Sequence, residues 1–585
     1  MTGQTKMKKT DFQDFLRGLD QQSYGSYRRL KNTCIALDDC ILCFRHIQGS
    51  PGAMPASVCE VKLPASAYPM PGWALSNQDR SMAAADFVLR SFTCGVKMFA
   101  RQNRGVDGSG SYQCSEMPQQ ILARNTITFD ATAISILFRV SLPGSRSKKV
   151  LAGEVEAMFC GELVNIVERV KDDISDCQRL RAQCELVEDM RHVQDRLGED
   201  GLVAFIADGS ILPRASGVSD KPANRGAIPF RAPDEAAVVL NFPNTGKVRG
   251  LGIRKGVTVL IGGGFHGKST VLNATGKGIY PHVAGDGRER VVASKKAMMV
   301  CAEDGRSIQG LDISPFISAL PEKADPGMFF TENASGSTSE AAAIVESMLA
   351  GADLLLIDED SSATNFLMRD RHMRKLIPED PITPLLDRVR QLYGEHRVST
   401  VIIAGGSSDY LGVADHVIAM RDYEPVDMTA EARALNLPQT HPPAGPLTLF
   451  DRRQLLPGNF DPLYINERMN KQVPVRIKAL RGQELEIIEY GKDLIDVRSL
   501  KGIVDADQML TIGYCLLLAR RLDLATKACS PAVLARKVIH VVRENGLDVL
   551  QPPQSPPVFF AETRLLELAG AINRLRSLVV QVDGQ

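Results

Sequence analysis

Residues 256–275 constrain the fold of this chain more than any other stretch. The segment Gly256-Val-Thr-Val-Leu-Ile261 is short, apolar and β-branched, which predicts a buried strand. It leads into Gly262-Gly-Gly-Phe-His-Gly-Lys-Ser-Thr270, and residues 271–275 predict the start of a helix. A Gly-x-x-x-x-Gly-Lys-Ser pattern between a strand and a helix is typical of a loop that cradles phosphate groups. The alternative is a chance glycine-rich turn, but the fit of the whole pattern and of both flanks favours the phosphate loop.

The positions of this loop predict contacts with a nucleoside triphosphate and Mg²⁺. Backbone N–H groups of the loop are expected to curl round the β-phosphate, where the N-terminus of the helix adds a favourable field. Lys268 is expected to reach the β- and γ-phosphates, and the Ser269 hydroxyl to contact Mg²⁺. The predicted nucleotide-binding residues of this loop are Gly262, Gly263, Gly264, Gly267, Lys268, Ser269 and Thr270.

A second predicted strand, Ala352-Asp-Leu-Leu-Leu-Ile-Asp-Glu359, ends in two acidic residues. A carboxylate at this position, Asp358, is predicted to hold Mg²⁺ together with Ser269. The next carboxylate, Glu359, is predicted to orient or deprotonate the water that attacks the γ-phosphate. Such a string is common by itself, but behind a phosphate loop it predicts the acidic half of an ATP site.

A serine-glycine turn lies between these two motifs, in Asn333-Ala-Ser-Gly-Ser-Thr-Ser-Glu340. Residues 341–350 predict a helix, so the turn stands at a helix N-terminus. There Ser335, Gly336 and Ser337 present hydroxyl and N–H groups to an anion. Because Lys268 already serves the γ-phosphate from its own side, this second turn predicts a site that two subunits complete together.

From about 205 to 423 the sequence resembles the family described as predicted ATPases of the ABC class. Besides the phosphate loop, the motifs that carry the resemblance are 209–217, 285–289, 302–306, 312–317, 334–339 and 357–366. The resemblance extends more thinly over both flanking regions. In its particular residues the sequence is similar to the trypanosome branch of this family, which is associated with the mitochondrial RNA-binding complex of uridine insertion/deletion editing.

The resemblance implies a homodimer with two composite ATP sites and an RNA-binding pore or groove that bears basic residues. It also implies contacts with other RNA-processing proteins and a place in the mitochondrial matrix, with the cytoplasm as the alternative. A dimer is expected independently, because one chain carries one phosphate loop and one serine-glycine turn, and a head-to-tail pair uses both.

The sequence departs from the usual ABC pattern at two places. The serine-glycine turn reads Ala-Ser-Gly-Ser-Thr, which keeps Ser335 and Gly336. The predicted strand at 398–404 ends in Gly405-Gly-Ser-Ser-Asp409, where these proteins usually have a switch histidine. Ser407 is the predicted catalytic substitute, with Ser408 as the alternative. A hydroxyl assists less than an imidazole at the γ-phosphate, so we expect slow hydrolysis.

Two basic loops are the candidate RNA contacts. One is Arg101-Gln-Asn-Arg-Gly-Val-Asp-Gly-Ser-Gly-Ser111, and the other is Gly144-Ser-Arg-Ser-Lys-Lys149. The predicted RNA-binding residues are Arg101, Arg104, Arg139, Arg146, Lys148 and Lys149. The alternative is that both loops are solvated turns. A similar choice applies to the stretch from Tyr24 to Lys31, where buried tyrosines under a solvated basic face are favoured over RNA contact.

Several other residues have open alternatives. Glu303, Asp304 and Arg306 are expected near the metal, in the coupling of nucleotide to the other domains, or in a buried salt bridge. Arg214 and Phe230 are expected to flank the nucleotide base or to pack a loop. Gln309 is a weaker candidate for a glutamine that couples nucleotide state to movement.

Composition narrows the class of protein. Lys+Arg and Asp+Glu are both 69, so any polyanion-binding surface must be local. No apolar run reaches the roughly 18 residues of a membrane span, and residues 1–20 lack the apolar core of a secretory signal. The 12 cysteines predict reduced thiols. Cys40 and Cys43 are expected to be structural thiols rather than metal ligands, because strand alternation puts them on opposite faces.

The chain of 585 residues is too long for one core and predicts several domains. The expected fold class is α/β, with an ABC-type P-loop ATPase core flanked by N-terminal and C-terminal α+β domains. The expected divisions are an N-terminal domain at 1–150, a helical connector at 151–199, the ATPase domain at 200–425, a proline-rich linker at 426–472 and a C-terminal domain at 473–585. Within the first of these we expect a helix over 10–32, and the mostly short alternating runs over 33–142 predict a mixed α+β domain.

These observations favour a dimeric ATPase that couples ATP hydrolysis to RNA binding or remodelling. The alternative is an ATP-gated clamp in a ribonucleoprotein assembly, with slow and incidental hydrolysis. A transporter subunit and a small-molecule kinase fit the motifs less well.

Overall fold

The computed structural model describes residues 5–582 except 115–116, 218, 224–225, 371–375, 378, 407, 438–444, 457, 462, 467–470, 483–485 and 526–528. The chain divides into two compact units. The first contains Met1–Glu188 and Gln551–Ala561, and the second contains Asp189–Leu550 and Glu562–Gln585. Among the described helices, none has the length and apolar character that crossing a bilayer requires.

The first unit is built on one seven-stranded sheet. Its strands are β1 Thr5–Lys8, β2 Thr33–Leu37, β3 Cys40–His46, β4 Ser57–Pro64, β5 Ser111–Gln113, β6 Ile127–Phe129 and β7 Ala133–Ser141. The order across the sheet is β1-β2-β3-β4-β7-β5, and β6 also pairs with β7. The helices of residues 9–196 are α1 Lys9–Leu19, α2 Gln78–Phe99, α3 Ala152–Glu156, α4 Leu163–Ser175 and α5 Cys177–Arg196.

Helix packing completes the core of the first unit. Helix α2 begins where the Asn77 side chain accepts a hydrogen bond from the Arg80 N–H. Gly95 lets α2 approach α4 closely, since a Cβ there would lie 3.2 Å from the Ile166 side chain. Phe44 and Phe159 meet edge to face with ring centroids 5.3 Å apart. Helices and sheet therefore share one apolar core.

The second unit contains the phosphate loop. The strands of its first part are β8 Leu202–Ala207, β9 Arg214–Ser216, β10 Ser219–Pro222, β11 Ala237–Phe242, β12 Gly246–Arg254, β13 Val257–Gly262, β14 Val291–Ala293, β15 Ala297–Val300, β16 Ile308–Leu311, β17 Phe329–Thr331, β18 Leu354–Asp358, β19 Ser399–Ile403, β20 His416–Arg421 and β21 Glu424–Asp427. The helices are α6 Lys268–Lys277, α7 Gly336–Leu349, α8 Thr364–Leu367, α9 Leu385–His396 and α10 Thr429–Ala434.

Two sheets of this part position the candidate site. An antiparallel sheet has the order β11-β12-β8-β14. A six-stranded sheet has the order β15-β18-β19-β13-β20-β21, in which β15 to β20 run parallel and β21 is antiparallel. Ligands of open parallel sheets bind beyond the carboxyl ends of the strands. The ends of β13, β18, β19 and β20 meet at that edge.

The remainder of the second unit follows residue 450. Its strands are β22 Arg453–Leu455, β23 Leu463–Asn466, β24 Lys471–Pro474, β25 Ile477–Arg481, β26 Glu486–Tyr490, β27 Asp493–Asp496 and β28 Val580–Val582. Its helices are α11 Ala506–Arg521, α12 Pro531–Asn545 and α13 Leu565–Asn573. Strands β25, β26 and β27 form an antiparallel sheet, and β22 pairs with β28.

Short helical turns join these elements. The 3₁₀ turns are Tyr24–Leu30, Gly72–Leu75, Pro321–Lys323, Pro326–Met328, Glu359–Ser361, Asp409–Gly412 and Leu547–Leu550, and a π-helical turn spans Ala157–Glu162.

The structure corrects two expectations for the first unit. The helix expected over 10–32 ends at Leu19 and is followed by a separate 3₁₀ turn. The region 33–142, expected to be mixed α+β, holds the 22-residue helix α2 among its strands. The expectation of reduced thiols is wrong for Cys34 and Cys43, which face each other across β2 and β3 and form a disulfide. Cys40 is free and buried, and burial raises the pKa of its thiol to about 12.

Candidate nucleotide-binding site

The phosphate loop joins β13 to α6, as predicted. Gly262 has φ +137°, and a Cβ there would lie 2.4 Å from the Met420 carbonyl oxygen, so the turn requires glycine. Gly267 has φ +96° and precedes the first residue of α6. Gly263 and Gly264 are exposed between them, and Ser269 and Thr270 lie half-buried in the first helical turn. The loop therefore presents backbone N–H groups and hydroxyls at a helix N-terminus, as a phosphate requires.

Lys268 folds back over the loop that it follows. Its Nζ donates to the carbonyl oxygens of Gly262 and Gly263, both at 2.8 Å. The ammonium group therefore lies above the concave side of the loop, where a phosphate group would be cradled.

The acidic residues lie at the end of β18, which is two strands away from β13 in the sheet. Asp358 pairs in register with Ile403 of β19, and Ile403 pairs with Leu260 of β13, so the three strands end side by side. The Glu359 carboxylate accepts hydrogen bonds from the N–H groups of Gly405 and Gly406. The oxygens of Ser269 and Asp358 are of the type that Mg²⁺ prefers.

Gly405 is the point where Lys268 and Glu359 come together. A Cβ at Gly405 would lie 3.5 Å from Glu359 Oε2 and 3.9 Å from Lys268 Nζ. The Lys268 ammonium and the Glu359 carboxylate, both of which are expected to act at the γ-phosphate of ATP, therefore lie next to the same residue. Ser407, the predicted substitute for the switch histidine, lies outside the described residues. Ser408 is exposed and precedes the 3₁₀ turn Asp409–Gly412.

The serine-glycine turn caps α7. Ser335 is exposed, and its Oγ accepts a hydrogen bond from the Thr338 N–H at 3.5 Å. A Cβ at Gly336 would lie 3.3 Å from Asp304 Oδ1, so little room is left there. The Ser337 hydroxyl is buried and donates to Asn365 Oδ1 at 2.8 Å, so it supports the neighbouring loop from inside. The outward hydroxyl of the turn belongs to Ser335.

Hydrogen bonds attach helix α7 to the loop that follows the acidic strand β18. Glu340 is fully buried, and its Oε2 accepts a hydrogen bond from the Ala363 N–H at 2.8 Å. Burial raises the pKa of Glu340 from 4.5 to about 7, although the Ala363 N–H and the Ser362 hydroxyl favour the ionised form. This contact and the bond from Ser337 to Asn365 join the serine-glycine turn to the segment that follows Glu359.

A buried ion-pair cluster holds the other side of α7. Arg306 pairs with Glu346 of α7, and Arg574 at the end of α13 pairs with Glu303. Burial alone would raise the pKa of Glu303, but Arg574 and Arg306 outweigh it and lower that pKa below its usual value. Of the alternatives, the structure supports a buried salt bridge for Glu303 and Arg306. Asp304 lies against Gly336.

Backbone hydrogen bonds also attach the loop before the serine-glycine turn to residues 305–306. The Gly305 N–H donates to the Ala334 carbonyl, and the Ala334 N–H donates to the Arg306 carbonyl, both at 2.9 Å. Arg576 donates to the Gly305 carbonyl oxygen at 2.9 Å. Gln309 lies on β16 and donates to Ser307 and Glu332. The C-terminal residues 574–576 thus brace the loop that carries the serine-glycine turn.

The two residues expected to flank the nucleotide base are committed to other contacts. The Arg214 side chain is 9% exposed and pairs with Asp286 at 2.8 Å, and Asp286 also contacts His282. Phe230 is 3% exposed. The structure therefore supports the alternative of loop packing for both, because neither presents a free face to a ligand.

The two basic loops of the first unit contact each other. The Val106 N–H donates to the Gly144 carbonyl at 3.0 Å, and the Ser109 hydroxyl also contacts Gly144. Tyr24 and Tyr27 are buried beneath, and their hydroxyls donate to the Leu142 and Pro143 carbonyls, which confirms the buried-tyrosine interpretation. The paired loops therefore form one surface.

The predicted RNA-binding residues differ in exposure. Arg146, Lys148 and Lys149, which we call the basic loop, are exposed. The Arg101 side chain is 67% exposed. Arg139 lies with its guanidinium 3.8 Å from the Phe559 ring centroid. Arg104 departs from the expectation, because its side chain is 3% exposed and is paired with Glu154 and Glu162. A buried, neutralised guanidinium does not present charge to a polyanion.

A lysine and a glutamate that converge over a glycine loop, in a domain that also carries a capped serine-glycine turn, define a P-loop ATPase domain of the ABC class. Residues 176–444 match the P-loop domain of ABC ATPases, residues 9–172 match the N-terminal domain of ATPases of the ABC class, and residues 479–581 match the MRB1590 C-terminal domain. The chain therefore belongs to the ATPases of the ABC class, and its resemblance to the trypanosome branch is confirmed. The predicted fold class, an α/β P-loop core with flanking domains, is confirmed as well.

One curated relative illustrates how far the similarity reaches. The protein MJ1628 of Methanocaldococcus jannaschii, described as uncharacterized, is 28% identical to this chain over 304 residues. The match covers 50% of this chain and 64% of that protein, which is less than two thirds of the relative's length.

Proposed function

We propose that this protein is a homodimeric ATPase whose two active sites form between subunits. The observation that carries the proposal is the convergence of Lys268 and Glu359 at Gly405, together with an exposed Ser335 turn. Among the described residues, no hydrogen bond joins 335–338 to the phosphate loop of the same chain. We therefore assign the Ser335 turn of a second subunit as the element that covers the bound phosphates and completes the site.

Phe265 supports a subunit contact at this loop. Its side chain is 96% exposed at the crest of the phosphate loop, where the backbone has φ +63°. A large apolar side chain in a strained, exposed position is stabilised when a partner surface covers it. A head-to-tail dimer would provide that cover.

In the proposed reaction, water attacks the γ-phosphorus and the bond to the bridging oxygen breaks. Glu359 accepts the proton of the water, and the N–H groups of Gly405 and Gly406 hold its carboxylate in place. Lys268 and the loop N–H groups stabilise the charge on the phosphates. Ser269 and Asp358 would hold Mg²⁺, which supplies further charge neutralisation when bound.

ATP turnover and molecular mass test this proposal together. We expect the wild type to hydrolyse ATP slowly and Lys268→Ala to lose nucleotide binding. Glu359→Gln should bind ATP, stop turnover and accumulate as a dimer in light scattering. Ser335→Trp should bind ATP as a monomer because the bulky ring blocks the composite site. A chain that stays monomeric with Mg²⁺ and ATP in the Glu359→Gln variant would refute the composite site.

The second candidate function is an ATP-gated clamp. It is favoured by the absence of a switch histidine after the strand β19. The Glu359→Gln variant separates the two candidates. A clamp should hold its partners as well as the wild type does, or better, whereas an ATPase that cycles should stall.

We also propose that the first unit binds RNA, in a mitochondrial RNA-processing assembly of the kind that the trypanosome resemblance implies. The basic loop and Arg101 provide exposed positive charge on one surface. Phosphate contacts release counterions, so affinity should fall steeply with salt.

Replacing the three residues of the basic loop by glutamine tests this part. For a single-stranded oligouridylate, the slope of log affinity against log salt should decrease in magnitude by about 2. The matched control is a glutamine triple variant of exposed lysines in the second unit, at Lys247, Lys295 and Lys296. Equal slopes for both triple variants would contradict the proposed surface.

A further inference from the structure

The order of the strands defines which way a bound nucleotide must point. The six-stranded sheet places β18 and β19 on one side of β13 and β20 on the other. Lys268 and Glu359 meet at Gly405, directly after β19. The γ-phosphate end of the nucleotide therefore lies toward β19. Because the triphosphate passes over the loop after β13, its nucleoside end must lie away from β19, on the side of β20.

The end of β20 carries an aromatic residue at that side. Strand β20 is parallel to β13, with Met420 in register with Gly262, so its last residues lie beside the phosphate loop. The turn that follows contains Asp422 and Tyr423, with φ +47° and +72°. The Tyr423 side chain is 55% exposed on this turn between two paired strands.

Two contacts attach this turn to the phosphate loop. The Asp422 N–H donates to His266 Nδ1 at 3.1 Å. A Cβ at Gly267 would lie 3.3 Å from Tyr423 Cδ1, so the ring lies against the last residue before α6. Tyr423 is thus an exposed aromatic ring in contact with the loop that cradles the phosphates.

We propose that Tyr423 forms the stacking surface for the purine base of the bound nucleotide. The inference rests on the proposed nucleotide site and adds the group that recognises the base. A planar base has an aromatic face on each side of its plane. Stacking one face on an exposed ring removes apolar surface of both groups from water. Of the residues expected from sequence, Arg214 is paired with Asp286 and Phe230 is buried, which leaves this position to Tyr423.

The test compares ATP with inorganic tripolyphosphate, which has the phosphates but no base. Tyr423→Ala should weaken ATP binding roughly 5- to 100-fold, as expected for loss of one base–aromatic stack. Its affinity for tripolyphosphate should stay within about twofold of the wild type, because the phosphate loop is intact. Neither alanine nor tryptophan relieves a positive φ, so backbone strain is the same in all variants.

Tyr423→Trp supplies a conservative rescue and a direct signal. It should restore ATP affinity, and ATP but not tripolyphosphate should quench its fluorescence, with the wild type, which has 1 Trp, as the blank. Phe450→Ala is the matched control, since Phe450 is 56% exposed and is not part of the site. It should leave both affinities unchanged.

The outcomes separate the inference from the proposed function. If Tyr423→Ala weakens ATP and tripolyphosphate equally, the ring supports the loop and the stacking inference is overturned. If it changes neither affinity while Lys268→Ala abolishes ATP binding, the inference is again overturned but the nucleotide site stands. If the wild type binds neither probe, both the inference and the proposed function are refuted.

Discussion

Replacing the buried Glu340 with glutamine should change how the stability of the second unit depends on pH. In the folded chain the carboxyl group keeps its proton up to a pKa of about 7, whereas the unfolded group releases it near 4.5. Between these values the folded state binds more protons, so stability is greatest below pH 4.5 and falls as pH rises through 7. The difference between the two pKa values corresponds to a loss of about 3 kcal/mol.

Glu340→Gln removes this loss, because the amide is neutral at every pH. Its side-chain oxygen can still accept the hydrogen bond from the Ala363 N–H. We expect the variant and the wild type to have similar free energies of unfolding at pH 5. At pH 8 the variant should be more stable, by about 3 kcal/mol at most.

Urea unfolding at pH 5, 6.5 and 8 measures this difference. Because the chain has two compact units, the relevant transition is the one that ATP also shifts to higher urea. Glu431→Gln is the matched control, since Glu431 is exposed and should give the same difference at every pH. A difference for Glu340→Gln that does not change with pH, or a variant less stable at pH 8, would show that Glu340 is ionised in the folded chain.

Three further changes test other parts of the second unit. Arg574→Gln removes the closer of the two arginine partners of the buried Glu303 carboxylate and should destabilise the unit by up to about 3–5 kcal/mol in urea unfolding. Adding Glu303→Gln should recover part of that loss, and no recovery would contradict the pairing. Gly262→Ala should abolish ATP binding in calorimetry, because its Cβ would meet the Met420 carbonyl; unchanged affinity would contradict the turn geometry. Phe265→Ala should leave unfolding unchanged but weaken ATP-dependent dimerisation in light scattering, and an unaltered dimer would argue against a partner contact there.

Much of the candidate site could be predicted from the sequence because its parts are contiguous. The phosphate loop, the acidic pair after β18 and the serine-glycine turn each lie within a few residues, so spacing alone defines their chemistry. The base-flanking residues could not be predicted in this way. Arg214 and Phe230 precede the phosphate loop in the chain, but the Asp286 pairing and burial favour loop packing for both.

The long helix α2 shows a different limit. Its apolar residues recur at helical spacing, but the region around it is rich in short alternating runs and turns, which obscure where the helix begins and ends. The disulfide between Cys34 and Cys43 depends on the register of β2 against β3. A one-residue shift of that register would separate the two sulfurs, and local composition does not specify register.

The sequence by itself determined that this chain carries a phosphate loop, an acidic pair after a buried strand and a serine-glycine turn, the motifs of the ABC class. Local motifs suffice for that, because backbone shape and side-chain chemistry within one turn follow from neighbouring residues. Only the tertiary structure decided which residues support the motifs. Arg574 and Glu303 are 271 residues apart along the chain, and Ala363 is 23 residues from Glu340. Such contacts arise because packing of the folded chain brings distant segments together, and no local pattern encodes that proximity.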